Sequence, residues 1–170
     1  MAAVGSSSLP RATGQRHREV TLRFLAEPGD VNFGGKVHGG AVMKWIDQAG
    51  YACAASWSGH YCVTVYVGGI RFLHPIPIGS LVEVTARLIH TGRTSMHIDI
   101  TVQARDPREG ELHDTTRCTM VFVSVSSTGR PVPVHAWEPQ TEEDRRLQAQ
   151  AIRQMELRQE MEAALSVPPA

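Results

Sequence analysis

His38-Gly39-Gly40 stands directly before a run, Ala41 to Trp57, whose apolar residues recur every three or four positions, and Asp47 interrupts that run seven residues after Gly40. Two glycines at a helix start bring unsatisfied backbone N–H groups and the positive end of the helix dipole to a surface without Cβ atoms. That arrangement suits an oxygen gaining negative charge. A carboxylate inside an otherwise apolar helix costs stability unless it has partners or chemical work. Together the groups suit acyl transfer. The N–H of Gly40, joined by that of Gly39, would hold the oxyanion on a carbonyl, while Asp47 would activate water or attack the carbonyl carbon to form a mixed anhydride. Plainer readings exist: a tight turn leading into the helix for the glycines, and a solvent-facing acid beside Lys44 for Asp47.

Spacing adds a constraint. Seven helical residues separate Gly40 from Asp47 by about 10 Å, too far for one helix to place both on a single carbonyl. Two copies of the chain related by a two-fold axis can supply one group each. His38 can hold the helix start or hydrogen-bond in the loop before it; as a base partnered by Asp47 it would instead suit water addition or removal.

The elements that must position these groups are legible from periodicity. Val20, Leu22 and Phe24 alternate with Thr21 and Arg23 in a strand over Glu19–Leu25. Val42, Trp45, Ile46, Ala49, Cys53 and Trp57 mark a buried helix, whose Gly50, Ala52, Ala54 and Ala55 allow a sheet to approach. From Tyr61 the period becomes two. Val63, Val65 and Val67 share one parity and Ile70 and Phe72 the other, so a bulge is expected at Gly68-Gly69. Alternation resumes over Val82–Leu88, over Met96–Ala104 and over about His113–Val125, whose two faces are both apolar. Short turns between these strands imply an antiparallel meander. After Pro139, Thr141 with Asp144 resembles a helix cap, followed to about Leu165 by a mostly solvated helix with a short Leu147, Ala151, Met155 stripe.

Composition limits the function classes. Lys plus Arg and Asp plus Glu each count 17, the net charge is zero, and the pI is about 7.1, so no global basic field holds nucleic acid. The three cysteines, Cys53, Cys62 and Cys118, form no CxxC pair and read as reduced core thiols, not metal ligands. No apolar run approaches the roughly 20 residues of a membrane span, and no secretory signal is present, so a cytoplasmic protein without a membrane partner is expected. Residues 1–16 read as a disordered tail, with a faint transit-peptide character, 17–135 as the folded unit and 136–170 as a mostly helical extension.

A strand, a buried helix and four further strands suggest an α+β architecture in which a curved antiparallel sheet wraps one central helix. Asn32 to Gly50 (NFGGKVHGGAVMKWIDQAG) resembles the loop and central helix of the acyl-CoA thioesterases of the hotdog superfamily. Phe72 to Gly79 (FLHPIPIG) and Gly92 to Met96 (GRTSM) are similar to further segments of that family, and the resemblance spans roughly 17–135. It implies a hotdog fold with the C-terminal helix added, and hydrolysis of acyl-CoA to free acid and coenzyme A in fatty acid metabolism, without metal or redox cofactor. It also implies a dimer, or a trimer of dimers (hexamer), with sites shared between subunits.

The same resemblance implies site roles. Asn32 would help hold the water or the thioester carbonyl; an Asx turn before Gly34 is the alternative. Arg93, Thr94 and Ser95 would lie against coenzyme A, with His38 near it and Arg71 and Lys36 as lesser cations. Many relatives carry an acid where this chain has Gly68. Two further functions fit the residues: an acyl-thioester hydratase or dehydratase using His38 and Asp47, and a non-catalytic acyl-CoA-binding module.

Overall fold

The computed structural model describes residues 16–108 and 110–165; all of the expected tail except Arg16 lies outside them. Alternating residues form strand β1 (Glu19–Leu25), and the helical period forms α1 (Gly39–Ser58). Strands β2 (Tyr61–Phe72), β3 (Leu81–Thr91), β4 (Ser95–Arg105) and β5 (His113–Val125) follow, and then helix α2 (Glu142–Leu165). The strands make one antiparallel sheet in the order β1-β3-β4-β5-β2.

The expected meander holds for β3, β4 and β5 but not for β2, which lies at the far edge against β5. Pro75 and Pro77 make a tight hairpin between β2 and β3 unfavourable. Residues 73–80 instead carry the chain across the end of the sheet, tied to the loop before α1 by bridges from Val37 to the Ile76 carbonyl and from Lys36 to Pro77.

Helix α1 crosses the concave face and touches all five strands. Val42, Trp45, Ile46, Ala49, Cys53 and Trp57 enter a common core with Val82, Val84, Leu88, Ile98, Ile100, Met120 and Phe122. Close approach is possible at Gly50, where a Cβ would stand 2.7 Å from the Phe122 ring and 3.1 Å from Ile100 Cδ1. Gly50→Ala is therefore expected to destabilise the fold by roughly 1–3 kcal/mol through overpacking, read as a lower urea midpoint at unchanged slope. All three cysteines are buried and unpaired.

Strand β2 is irregular at two places. Its register against β5 shifts between Gly68 and Arg71, where a bulge was expected, and also between Thr64 and Tyr66. Val63 pairs with Val123, Thr64 with Phe122 and Val67 with Met120. The extra residue, Val65, thus reverses the parity of the strand, and Thr64 shares a face with the core residue Phe122 instead of facing outward.

The convex face is covered by α2. Thr141 and Asp144 form the expected reciprocal cap, each backbone N–H bonding the other's side chain at 3.1 Å. Asp144 is buried and also accepts from Arg18 Nη2 at 2.6 Å, which joins the start of β1 to α2. The Leu147, Ala151, Met155 stripe is less solvated than its charged surroundings suggest: Ala151 is fully buried and Met155 lies beside His97 and Val121. Further along, the Arg158 guanidinium lies 4.7 Å above the Tyr66 ring. A Cβ at Gly68 would run into that ring, at its Cε1.

Beneath α2, the His90 and His97 rings meet edge to face at 5.2 Å. Burial, followed by the positive charges of His90 and Arg158, pushes His97 down to about 4. The unfolded chain then binds the extra proton between about pH 6.5 and 4, so stability falls as pH drops through that window, by at most ~3 kcal/mol. His97→Gln is expected to flatten this acid branch, measured as the urea midpoint against pH. An unchanged slope would remove His97 as its cause.

Candidate functional site

The helix start is built by the chain around His38. Its extended backbone caps α1, and its Nδ1 accepts the Gly40 N–H at 2.9 Å. Ala41 and Val42 bond the His38 carbonyl. The Gly40 N–H, expected as the main oxyanion donor, is therefore already engaged by an imidazole. Among the described residues no acceptor is recorded for the Gly39 N–H. Gly39 borders an open apolar cleft of ≈ 290 Å³ lined with Val42, Phe72, Leu73, Pro75 and Thr116, and a Cβ there would meet only the Phe72 ring, at 3.8 Å. The side chain of the capping residue folds back onto the second N–H, that of Gly40, and leaves the first, that of Gly39, beside the cleft.

Asp47 differs from the expectation of a buried carboxylate. In the single chain it is exposed, on the same side of α1 as Lys44, Gln48 and Tyr51, because the sheet covers only the Val42, Trp45, Ile46, Ala49 face. It is nevertheless held: the Thr64 hydroxyl donates to Asp47 Oδ1 at 2.7 Å. Sequence reasoning missed Thr64. In a strand read as Val63, Val65, Val67 in one phase it points away from the helix, and only the bulge at Val65 turns it toward Asp47.

Asn32 organises its own loop. Its Oδ1 accepts from the Gly34 N–H at 2.8 Å and the Lys36 N–H at 3.1 Å, and its Nδ2 donates to the Val37 carbonyl at 3.4 Å. This is the Asx-turn arrangement, and it presents the residues leading to the helix start. The His38 carbonyl and Nδ1 are likewise occupied by the cap.

Arg93, Thr94 and Ser95 stand elsewhere. Their turn is tied down by Val134 N–H to the Arg93 carbonyl and Ser124 N–H to the Thr94 carbonyl. Ser95 pairs with Val123, which pairs with Val63, whereas the cleft at Gly39 adjoins Phe72, nine residues further along β2. Within one chain the two ends are separated by on the order of 30 Å. Gly39, Phe72 and the Asn32 loop are brought together at one end of α1, Asp47 and Thr64 lie midway along it, and Arg93 lies beyond its other end.

Among the described residues no group of three or more His, Cys, Asp or Glu could hold a metal ion, and no helix is long and apolar enough to cross a membrane.

Comparison with known proteins agrees with this architecture. Residues 34–111 match the family model described as the thioesterase superfamily. The acyl-CoA thioester hydrolase YciA of Salmonella typhimurium (strain LT2) is 34% identical over 119 residues, covering 68% of this chain and 90% of that protein. Protein VdlD of Helicobacter pylori (strain 26695) is 31% identical over 140 residues, covering 82% of this chain and 80% of its own. Among solved structures, an apo-hexameric acyl-CoA thioesterase superposes with TM-score 0.82 at 32% identity, covering 86% of this chain and 94% of that one. An edge-strand β2, a sheet wrapped on a glycine-started helix and these relatives lead to one assignment: the chain belongs to the hotdog-fold acyl-CoA thioester hydrolases of the thioesterase superfamily.

Proposed function

We propose that the chain hydrolyses acyl-CoA thioesters to a carboxylic acid and coenzyme A, with Asp47 as base or nucleophile. The observation that carries this reading is the Thr64 hydroxyl on Asp47 Oδ1 at 2.7 Å. That bond orients the exposed carboxylate and leaves the second oxygen open to a water or an acyl carbon. In the general-base form, Asp47 takes a proton from water as its oxygen attacks the thioester carbon, and the Gly39 N–H receives the oxyanion. Collapse expels the thiolate of coenzyme A, which recovers the proton. Asn32 and His38 act as positioning residues that shape the loop and the helix start.

The unit that acts is a dimer, assembled further into a hexamer, like the matched apo-hexameric thioesterase. Strand β2 supports this reading. It is an edge strand, and Tyr61, Val65 and Phe72 on it are 62%, 53% and 57% exposed. A second copy paired along that edge covers this apolar surface and brings its own Gly39 cleft toward Asp47. Residues 17–135 form the catalytic unit, and helix α2 (Glu142–Leu165) braces its convex face. A cytoplasmic place in fatty acyl metabolism belongs to the same proposal, supported by three buried, unpaired thiols.

Release of free thiol from a panel of acyl-CoA substrates tests the reading directly. Turnover with at least one chain length is expected. Binding without turnover would instead identify an acyl-CoA-binding module, and hydration of an enoyl-CoA a hydratase. The engagement of His38 by the helix cap weighs against the latter.

A further inference from the structure

Helix α2 is longer than the sheet it crosses. Asp144, near its start, is bonded to Arg18 beside β1 at one edge, and fourteen residues later Arg158 lies over Tyr66 of β2 at the other. Fourteen residues of helix rise about 21 Å, and four strand intervals of about 4.8 Å make ~19 Å, so α2 runs nearly at right angles to the strands. Residues 159–165 therefore project about 10 Å beyond β2, the last strand on that side. Leu157, Met161 and Leu165, spaced four apart, share one flank of this end and are 47%, 54% and 79% exposed. Below them, Tyr66, Gly68 and Gly69 of β2 join Leu157, Arg158 and Met161 in lining an open groove of ≈ 210 Å³. The two glycines bring no side chain to fill it.

We propose that the projecting end of α2 is a clasp that docks on a second copy of the chain, its Leu157, Met161, Leu165 flank against the same flank of the partner. This rests on the pairing of two β2 edges proposed above. The helix crosses β2 at Tyr66 and Gly68, the middle of a strand that runs from Tyr61 to Phe72. Antiparallel pairing of two such strands along their length puts the two-fold axis at that middle, so each projecting helix meets its own equivalent. The reach matches. Across the junction the partner's next two strands lie about 5 and 10 Å away, the distance that the overhang covers. Helix axes about 8–10 Å apart bring the two apolar flanks into contact above the glycine grooves and remove them from water. Charge argues against a lipid surface as the occupant: after Arg158 the helix carries Glu160 and Glu162 and no Lys or Arg, and an anionic bilayer repels it. Residues outside 17–135 thereby help hold together the site that two chains share.

Cross-linking in the full-length protein tests the clasp. The three native cysteines are buried, so an introduced thiol is the one that reacts. Met161→Cys with a bismaleimide of about 8 Å span is expected to give a covalent dimer, because helices packed at ~8–10 Å hold the two positions within that reach. Arg153→Cys, on the exposed outer side of α2, is expected to give none. Val65→Cys reports on the edge strand itself. A cross-link at Val65 without one at Met161 would overturn the clasp and leave the strand-paired dimer standing, whereas a wild-type chain that sediments as a monomer would remove both. Met161→Asp places a carboxylate in the docked flank twice per dimer, and is expected to raise the dimer dissociation constant about a hundredfold, tenfold for each carboxylate. Its circular dichroism should match wild type, since Met161 is exposed in the single chain. An unchanged dissociation constant in sedimentation equilibrium would also overturn the proposal.

Discussion

Asp47→Ala is expected to lower kcat on acyl-CoA by about a thousandfold or more, with KM changed only a few-fold and the assembly intact. The size follows from the role: loss of a base or nucleophile removes an interaction made in the transition state, not in ground-state binding. The intact fold follows from the position. Asp47 is exposed, and its recorded side-chain partner is the Thr64 hydroxyl, so its removal opens no core cavity and strands no buried charge. Asp47→Asn keeps the shape and the Thr64 contact, and is expected to be nearly as inactive. Thr64→Val should cost less, about tenfold in kcat, because it frees the carboxylate without deleting it. Near-native turnover by Asp47→Ala, with thermal melting and native mass unchanged, would take Asp47 out of the mechanism.

Recovery of activity from two inactive variants is the second large effect expected. Gly39→Val should block the oxyanion donor and the cleft beside Phe72. The Cβ itself meets nothing closer than 3.8 Å, so the chain still folds. In a dimer of Asp47→Ala with Gly39→Val, one site combines Asp47 of one chain with Gly39 of the other and is whole, while the second site carries both defects. Co-expression at equal levels makes about half of the dimers mixed, so activity should return to about one quarter of wild type. A site contained within one chain predicts no recovery. Verified mixed dimers without activity would therefore defeat the shared site. The motive for sharing is geometric: on a continuous α1, Gly39 and Asp47 lie about 12 Å apart along the axis.

The acid branch under α2 and the packing at Gly50 are structural tests of a different kind. Neither touches the reacting groups, so a change in melting at constant kcat/KM would separate the scaffold from the chemistry.

Local pattern was enough to read much of this molecule. The three- and four-residue spacing from Val42 to Trp57 identified α1, the alternation in Met96–Ala104 identified β4, and the Thr141–Asp144 pair marked the start of α2. These features are set by residues near one another in the chain, where backbone period and capping chemistry act directly. The apolar phase change around Gly68-Gly69 likewise announced its bulge. Asp47 and the glycine pair could be singled out because an acid in an apolar helix and two glycines at its start are unusual enough to invite a chemical reason.

What only the tertiary structure decided are relations between distant segments. The place of β2 at the sheet edge depends on how residues 73–80 cross the end of the sheet, which no local period encodes. Thr64 joins Asp47 because one extra residue at Val65 reverses the facing of the strand, and an odd shift in a period of two sends every following side chain to the opposite face. The His38 ring claims the Gly40 N–H and leaves that of Gly39, a choice made by a single rotamer. Arg71 meets Arg117 across two strands 46 positions apart, whereas Arg93 lies, within one chain, at the other end of α1 from the cleft. Sequence by itself singled out candidates for the chemistry and the elements they ride on, because those follow from side-chain type and local period. Folding decided which of those groups face one another, because register, bulges and strand order set distances that neighbours in the chain do not share.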